Sequence, residues 1–207
     1  LHISKQMLRF VEIFNMSRNK AFSEDNVLEK AMQVFWDNGY EATSVRLLEK
    51  KMGINQFSIY ATFENKKNLF IESLKKYREY VKTNRFQDLL KEDAKLKDLD
   101  SFFHDFALAV RNGNKHRGCL VVNTTGEIGT RDTEIKAELC NYFNFVKNMI
   151  QHVLQNSADA GEISAKADLD KYSNYLLGMM QGLSVGAKVL SEKQINDIIS
   201  MALTSIK

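Results

Sequence analysis

Residues 40–70 read YEATSVRLLEKKMGINQFSIYATFENKKNLF, and this stretch decides the fold. Thr43 and Ser44 are residue types that accept hydrogen bonds from free amides at a helix start. Val45, Leu47 and Leu48 follow with the spacing of a short helix, and Gly53 supplies a left-handed residue that ends it. Ile54 is apolar and can lock the turn into a core. Asn55 is placed to cap a second short helix over about 56–63. On that helix Ile59 and Phe63 are four apart and face inward, which turns Gln56, Phe57, Ser58, Ala61 and Thr62 outward. Two short helices joined by a glycine-containing turn describe a helix-turn-helix, whose second helix enters the major groove of DNA.

The outward residues suit that task. A glutamine such as Gln56 can bond bidentately to adenine, Ser58 can reach a base edge or a phosphate, and Phe57 can pack on a thymine methyl. Tyr60 offers a hydroxyl at the flank of the helix. Thr43 and Ser44 open the preceding helix, where free backbone amides favour a phosphate, and Lys66 opens the following one within reach of the backbone. The plainer reading is an ordinary turn between two helices of an all-α protein, with Tyr60 half-buried in its core. Phe57 resists it, because an exposed aromatic at the tip of a turn calls for a partner surface.

Outward from this stretch, helical periodicity recurs and sustained alternation does not. Val27, Ala31, Val34 and Phe35 share a face that Gly39 can end; Phe70, Leu74, Tyr77 and Val81 form a second stripe, and Leu99, Phe102, Phe103, Phe106 and Val110 a third. Long helices are expected over about 132–157 and from Leu169 to Leu190, and a last one carries Ile195, Ile199, Ala202 and Ile206. Cys119–Val122 is strand-like but has no strand to pair with, so it is read as helix. The 207 residues contain no Pro, which removes the commonest helix breaker. At 44% hydrophobic and 27% charged, the chain can bury a core, and disorder is excluded. The expected class is all-α. Leu1–Asn15 reads as an appended remnant or the product of an upstream start; Met7, Phe10, Val11 and Phe14 have helical spacing there.

Several function classes drop out. No apolar run is long enough for a membrane span, and Arg9 and Glu12 interrupt what would be a signal peptide. Two Cys, Cys119 and Cys140, exclude a disulfide scaffold and suit a reducing cytoplasm; both read as inert thiols rather than a redox pair. The four His are scattered without ligand spacing, so neither metal nor cofactor is expected. Gly182–Lys188 has the wrong spacing for a phosphate loop and sits mid-helix, and no hydrolase or dinucleotide motif occurs, so no catalytic residue is named. The net charge of +3 is mild; residues 16–80 carry eleven basic against nine acidic side chains, a weak pointer to a polyanion.

These residues resemble the tetracycline-repressor (TetR) family of bacterial transcriptional regulators. The likeness runs through Ala31…Phe35, Gly39-Tyr40, Ala42-Thr43-Ser44-Val45, Met52-Gly53-Ile54, Ser58-Ile59-Tyr60 and Phe63-Glu64-Asn65-Lys66-Lys67-Asn68-Leu69-Phe70. It implies an N-terminal three-helix DNA-binding domain over 16–67 and a C-terminal helical domain over 68–207 that binds an effector and makes a homodimer. It implies groove positions for Gln56, Phe57 and Ser58 and phosphate contacts from Thr43, Tyr60 and Lys66. Thr62 stands where the family usually has His, and Phe57 where a small residue or Pro is common, so the operator sequence does not carry over. Arg117–Asn123 is similar to a stretch that recurs in one branch of the family.

In the C-terminal part, aromatic and Met side chains are dense. Phe103, Phe106, Phe143, Met149, Tyr172, Tyr175 and Met179 are the expected walls of a pocket for a bulky apolar or aromatic effector. Gly178, Gly182 and Gly186 recur on one helix face, where each costs about 1 kcal/mol relative to Ala, so a close backbone approach is expected. The dimer partner fits best, with Ile195, Ile199, Ala202 and Ile206 on the neighbouring helix completing a four-helix interface. The expected function is a ligand-responsive repressor on a palindromic operator. The alternative is a helical ligand-binding or protein-interaction module without DNA affinity.

Overall fold

The apolar spacings set the helices. In the computed structural model, which describes residues 24–113 and 117–206, Val27, Ala31, Val34 and Phe35 lie on the buried face of α1 (Glu24–Asn38). Gly39 ends it at φ 79°, where its amide bonds to Phe35. α2 (Val45–Met52) starts at Ser44, whose hydroxyl oxygen accepts from the Leu47 amide, and stops at Gly53 with φ 76°. α3 (Gln56–Phe63) is capped by Asn55, and α4 (Lys66–Asn84) by Asn65. α1 packs on both α2 and α4, and α3 packs on α4, which closes a small helical head.

The body is also helical. An irregular segment that buries Phe86, Leu89 and Ala94 leads into α5 (Leu96–Asn112). α6 (Leu120–Ile128) begins inside the stretch read as helix rather than strand. α7 (Thr133–Asp159), α8 (Leu169–Gly186) and α9 (Glu192–Thr204) follow, each with a side-chain cap from Asp132, Asp168 and Ser191 respectively. α7 packs along α8; α5 packs on α7, α8 and α9. Among the described residues the chain is all-α, as the spacing required. Residues 1–15, with the helical spacing of Met7 to Phe14, lie outside the described residues.

α4 joins head to body. Its buried face, Leu69 to Val81, packs between the head and the body, and the helix contacts both α1 and α7. The division expected after residue 67 therefore falls inside its first turn, and one continuous apolar cluster runs from Val27 to Ile206. No described helix is long and apolar enough to cross a membrane.

Candidate nucleic-acid interface

The reading head is held by a few polar contacts. The Asn55 carboxamide oxygen accepts from the Ser58 amide at 2.8 Å, and the Glu49 carboxylate, from α2, accepts from the Gln56 amide. Cap and carboxylate together fix where α3 starts relative to α2. Ile59 and Phe63 are buried beneath it. Gln56, Phe57, Tyr60 and Ala61 are exposed as a consequence, and Ser58 and Thr62 are half-buried at the edges of the same face. Phe57 is 81% exposed, a large apolar side chain presented to solvent. At the end of α3, Glu64 takes a positive φ of 64°, a conformation that favours glycine.

The residues expected around that face divide. Ser44 is exposed at the start of α2; its oxygen serves the Leu47 amide, which leaves its O–H to donate outward. Thr43 is a correction. It is fully buried, and its hydroxyl donates to the Gly39 carbonyl, so its side chain is committed to the α1–α2 turn and has no proton left for a phosphate. Lys66 is half-buried in the first turn of α4, with its ammonium 4.4 Å from the centre of the Tyr40 ring. Burial lowers its pKa, and the carboxylates of Glu41 and Glu127 pull in the opposite direction.

A cavity of about 480 Å³ opens where head and body meet, between the C-terminal end of α4 and α5. Trp36 of α1, Tyr77 and Tyr80 of α4, Phe102 and Phe106 of α5 and Tyr142 of α7 supply rings to its wall. Burial raises the phenol pKa of Tyr77 and of Tyr142 well above the ordinary value, so both are neutral donors at any working pH. Of the side chains expected to line an effector pocket, Phe106 alone lines this cavity. Phe103 and Met149 are buried in the core, Phe143 is half-buried against Tyr142 and the core, Tyr172 and Met179 pack half-buried against the core, and Tyr175 is exposed. The expectation followed aromatic and Met density on α5, α7 and α8, whereas the cavity wall also draws on α1 and α4 through Trp36, Tyr77 and Tyr80. Trp36, the only Trp in the chain, was the missed signal.

The face expected to pair two subunits is also corrected in part. Gly178 and Gly182 are exposed, and apart from their own helix's backbone no atom of the described residues lies within 4 Å of where a Cβ would stand, so nothing among the described residues explains their smallness. Gly186 differs: a Cβ there would stand 3.0 Å from Leu190, so it serves packing within the chain. Ile195, Ile199, Ala202 and Ile206 are buried within one subunit, because the first three form the inward stripe of α9 and Ile206 continues it just beyond the helix. The outward apolar residues are Ile198 and Met201 on α9, and Tyr175, Val185 and Val189 on and just beyond α8; Met201 is 70% and Val189 86% exposed. Among the described residues no cluster of three His, Cys, Asp or Glu is placed to hold a metal, and both cysteines are free.

An all-helical body carrying an exposed second helix of a helix-turn-helix defines a DNA-binding regulator. The chain belongs to the TetR family: residues 27–72 match the family described as "Bacterial regulatory proteins, tetR family", and residues 96–202 match "Tetracyclin repressor-like, C-terminal domain". It is a transcriptional regulator and not an enzyme. The HTH-type transcriptional repressor ComR of Escherichia coli is 29% identical over 175 residues, covering 83% of this chain and 82% of that protein. The HTH-type transcriptional regulator YezE of Bacillus subtilis is 27% identical over 192 residues, covering 91% and 98%. A cysteine-substituted form of the TetR-family regulator CifR, solved in complex with a 26 bp double-strand operator DNA, superposes with a TM-score of 0.78 at 25% identity, covering 92% of this chain and all of that one.

Proposed function

We propose that the chain is a cytoplasmic, homodimeric repressor that binds a palindromic operator and releases it when a small aromatic or apolar effector enters the cavity beside α4. The observation that carries this reading is the free outer face of α3, with Gln56, Phe57 and Ala61 open to solvent and Ser58 and Thr62 at its edges. Gln56, Phe57 and Ser58 are the groove residues; Ser44, Tyr60 and Lys66 meet the backbone. The exposed glycines of α8 and the outward apolar residues of α8 and α9 make the two-fold contact. A two-fold dimer sets its reading helices in successive major grooves, about 34–36 Å apart. Tyr77, Tyr80 and Val81 belong both to α4 and to the cavity wall, so an occupant presses on the helix that carries the head. It shifts the equilibrium only by its differential affinity for the two arrangements.

Binding of the whole chain to random-sequence duplex, followed as salt is raised, tests this. Affinity should fall linearly on a double-logarithmic plot, by about 10³-fold or more between roughly 50 and 200 mM salt if some six phosphates are contacted. No binding at the lowest salt would leave a helical module without DNA affinity.

A further inference from the structure

α6 is short, and its two ends meet different parts of the molecule. Arg117 and Gly118, just ahead of its N-cap Cys119, are part of the cavity wall. They also grip α1. The Trp36 indole donates to the Gly118 carbonyl at 3.0 Å, and the Arg117 guanidinium donates to Gln33 and stacks over the Trp36 ring. Its Nε lies 2.6 Å from Asp37, with the N–H pointing off that line, so this contact is ionic. Gly118 has φ 66°, and a Cβ there would stand 2.6 Å from the Ser184 carbonyl, so this end of α6 is also pressed against α8.

At the other end, Glu127 reaches the head. One carboxylate oxygen accepts from the Tyr40 amide at 3.0 Å, the other from the Glu41 amide at 2.8 Å. A Cβ on Gly39 would stand 2.9 Å from the same carboxylate, so the glycine makes room for it. This is the turn that leads from α1 to Ser44 and the start of α2, and Tyr40 carries the Lys66 ammonium over its ring. From Leu120 to Glu127 the helix spans about 10 Å at its usual rise, and the Asn123 side-chain amide, donating to the Arg117 carbonyl at 2.7 Å, ties the segment ahead of it to the helix. Short hydrogen-bonded helices move as rigid pieces, so a displacement at the cavity wall appears at the turn.

We propose that Glu127 is the positioning residue that carries the state of the cavity to the reading head: its carboxylate holds the α1–α2 turn at one end of α6 while the cavity displaces the other. This rests on the DNA-binding reading above. It adds a route through α6 to the one through α4. Two parallel amide bonds to one carboxylate fix the turn in both position and rotation; a carboxamide can satisfy only one of them and turns its NH₂ toward the other donor.

The experiment compares the native chain, Glu127→Gln, Ala109→Phe and the double variant. Ala109 lines the cavity, so Phe there is a built-in stand-in for an occupant, and Ala109→Met is the smaller filler should Phe disturb folding. Two quantities are read: affinity for a duplex selected from random DNA, and hydrogen exchange at the Tyr40 and Glu41 amides without DNA. Glu127→Gln should speed exchange at both amides and weaken binding about tenfold. Filling the cavity should weaken binding about tenfold in the native background and less than about twofold beside Glu127→Gln, a dependence that a merely structural role does not produce. An equal loss in both backgrounds, no loss on filling, or unchanged amide exchange in Glu127→Gln overturns the proposal while DNA binding by the native chain stands. A native chain that binds no duplex overturns the DNA-binding reading and this one with it.

Discussion

Single side chains of the reading head have separable tasks. Gln56 lies on the exposed start of α3, where it can discriminate a base, whereas Lys66 lies at the start of α4, where it can only meet charge. Gln56→Ala should therefore cost about 1–3 kcal/mol of discrimination between operator and a single-base variant. Lys66→Ala should weaken all duplexes alike and flatten the salt slope by about one unit. Competition binding at several salt concentrations separates the two; matching behaviour would remove the groove assignment. Identity alone foretold most of these placements, because a residue beside Ile59 or Phe63 on α3 has its direction fixed by helical spacing. Thr43 shows the limit. Two adjacent cap-type residues precede α2, and sequence does not say which one the turn keeps; Gly39, by offering its carbonyl to the Thr43 hydroxyl, claimed Thr43 and left Ser44 as cap.

Helices were legible where they announce themselves by caps and period. Asn55, Ser191 and the glycines at 39 and 53 mark boundaries that the structure keeps. Which of two apolar faces meets a partner is a different matter. On α9 and just past its end the residues at 195, 199, 202 and 206 are the strongest stripe, and the strongest stripe is claimed by the chain's own core. The weaker one, Ile198 and Met201, remains outside together with the open glycines of α8. Met201→Glu places a charge on that outer stripe without touching the core. It should convert a dimer of about twice 23.8 kDa into a monomer with unchanged helix content, as read by sedimentation and circular dichroism. An undisturbed dimer would move the interface elsewhere.

Across the whole molecule, function depends on relations between elements that lie far apart in the chain. The cavity collects side chains from α1, α4, α5, α7 and α8, so no local pattern marks it, and most of the aromatic and Met side chains singled out on α5, α7 and α8 pack into or against the core instead. Glu127 is equally silent in sequence: its partners are backbone amides some 86 residues earlier, which have no side-chain signature. The head, by contrast, was readable because its parts are contiguous. On the proposed function, a symmetric pair of α3 helices set by the dimer and tuned by the cavity joins the two, and selection of bound sites from random duplex DNA by the whole chain tests the DNA-reading part directly. The expected product is a palindrome whose half-sites are centred about one helical turn apart, roughly 34–36 Å or a small multiple of it. A pool that emerges no different from its input would contradict the claim that the outer face of α3 reads DNA.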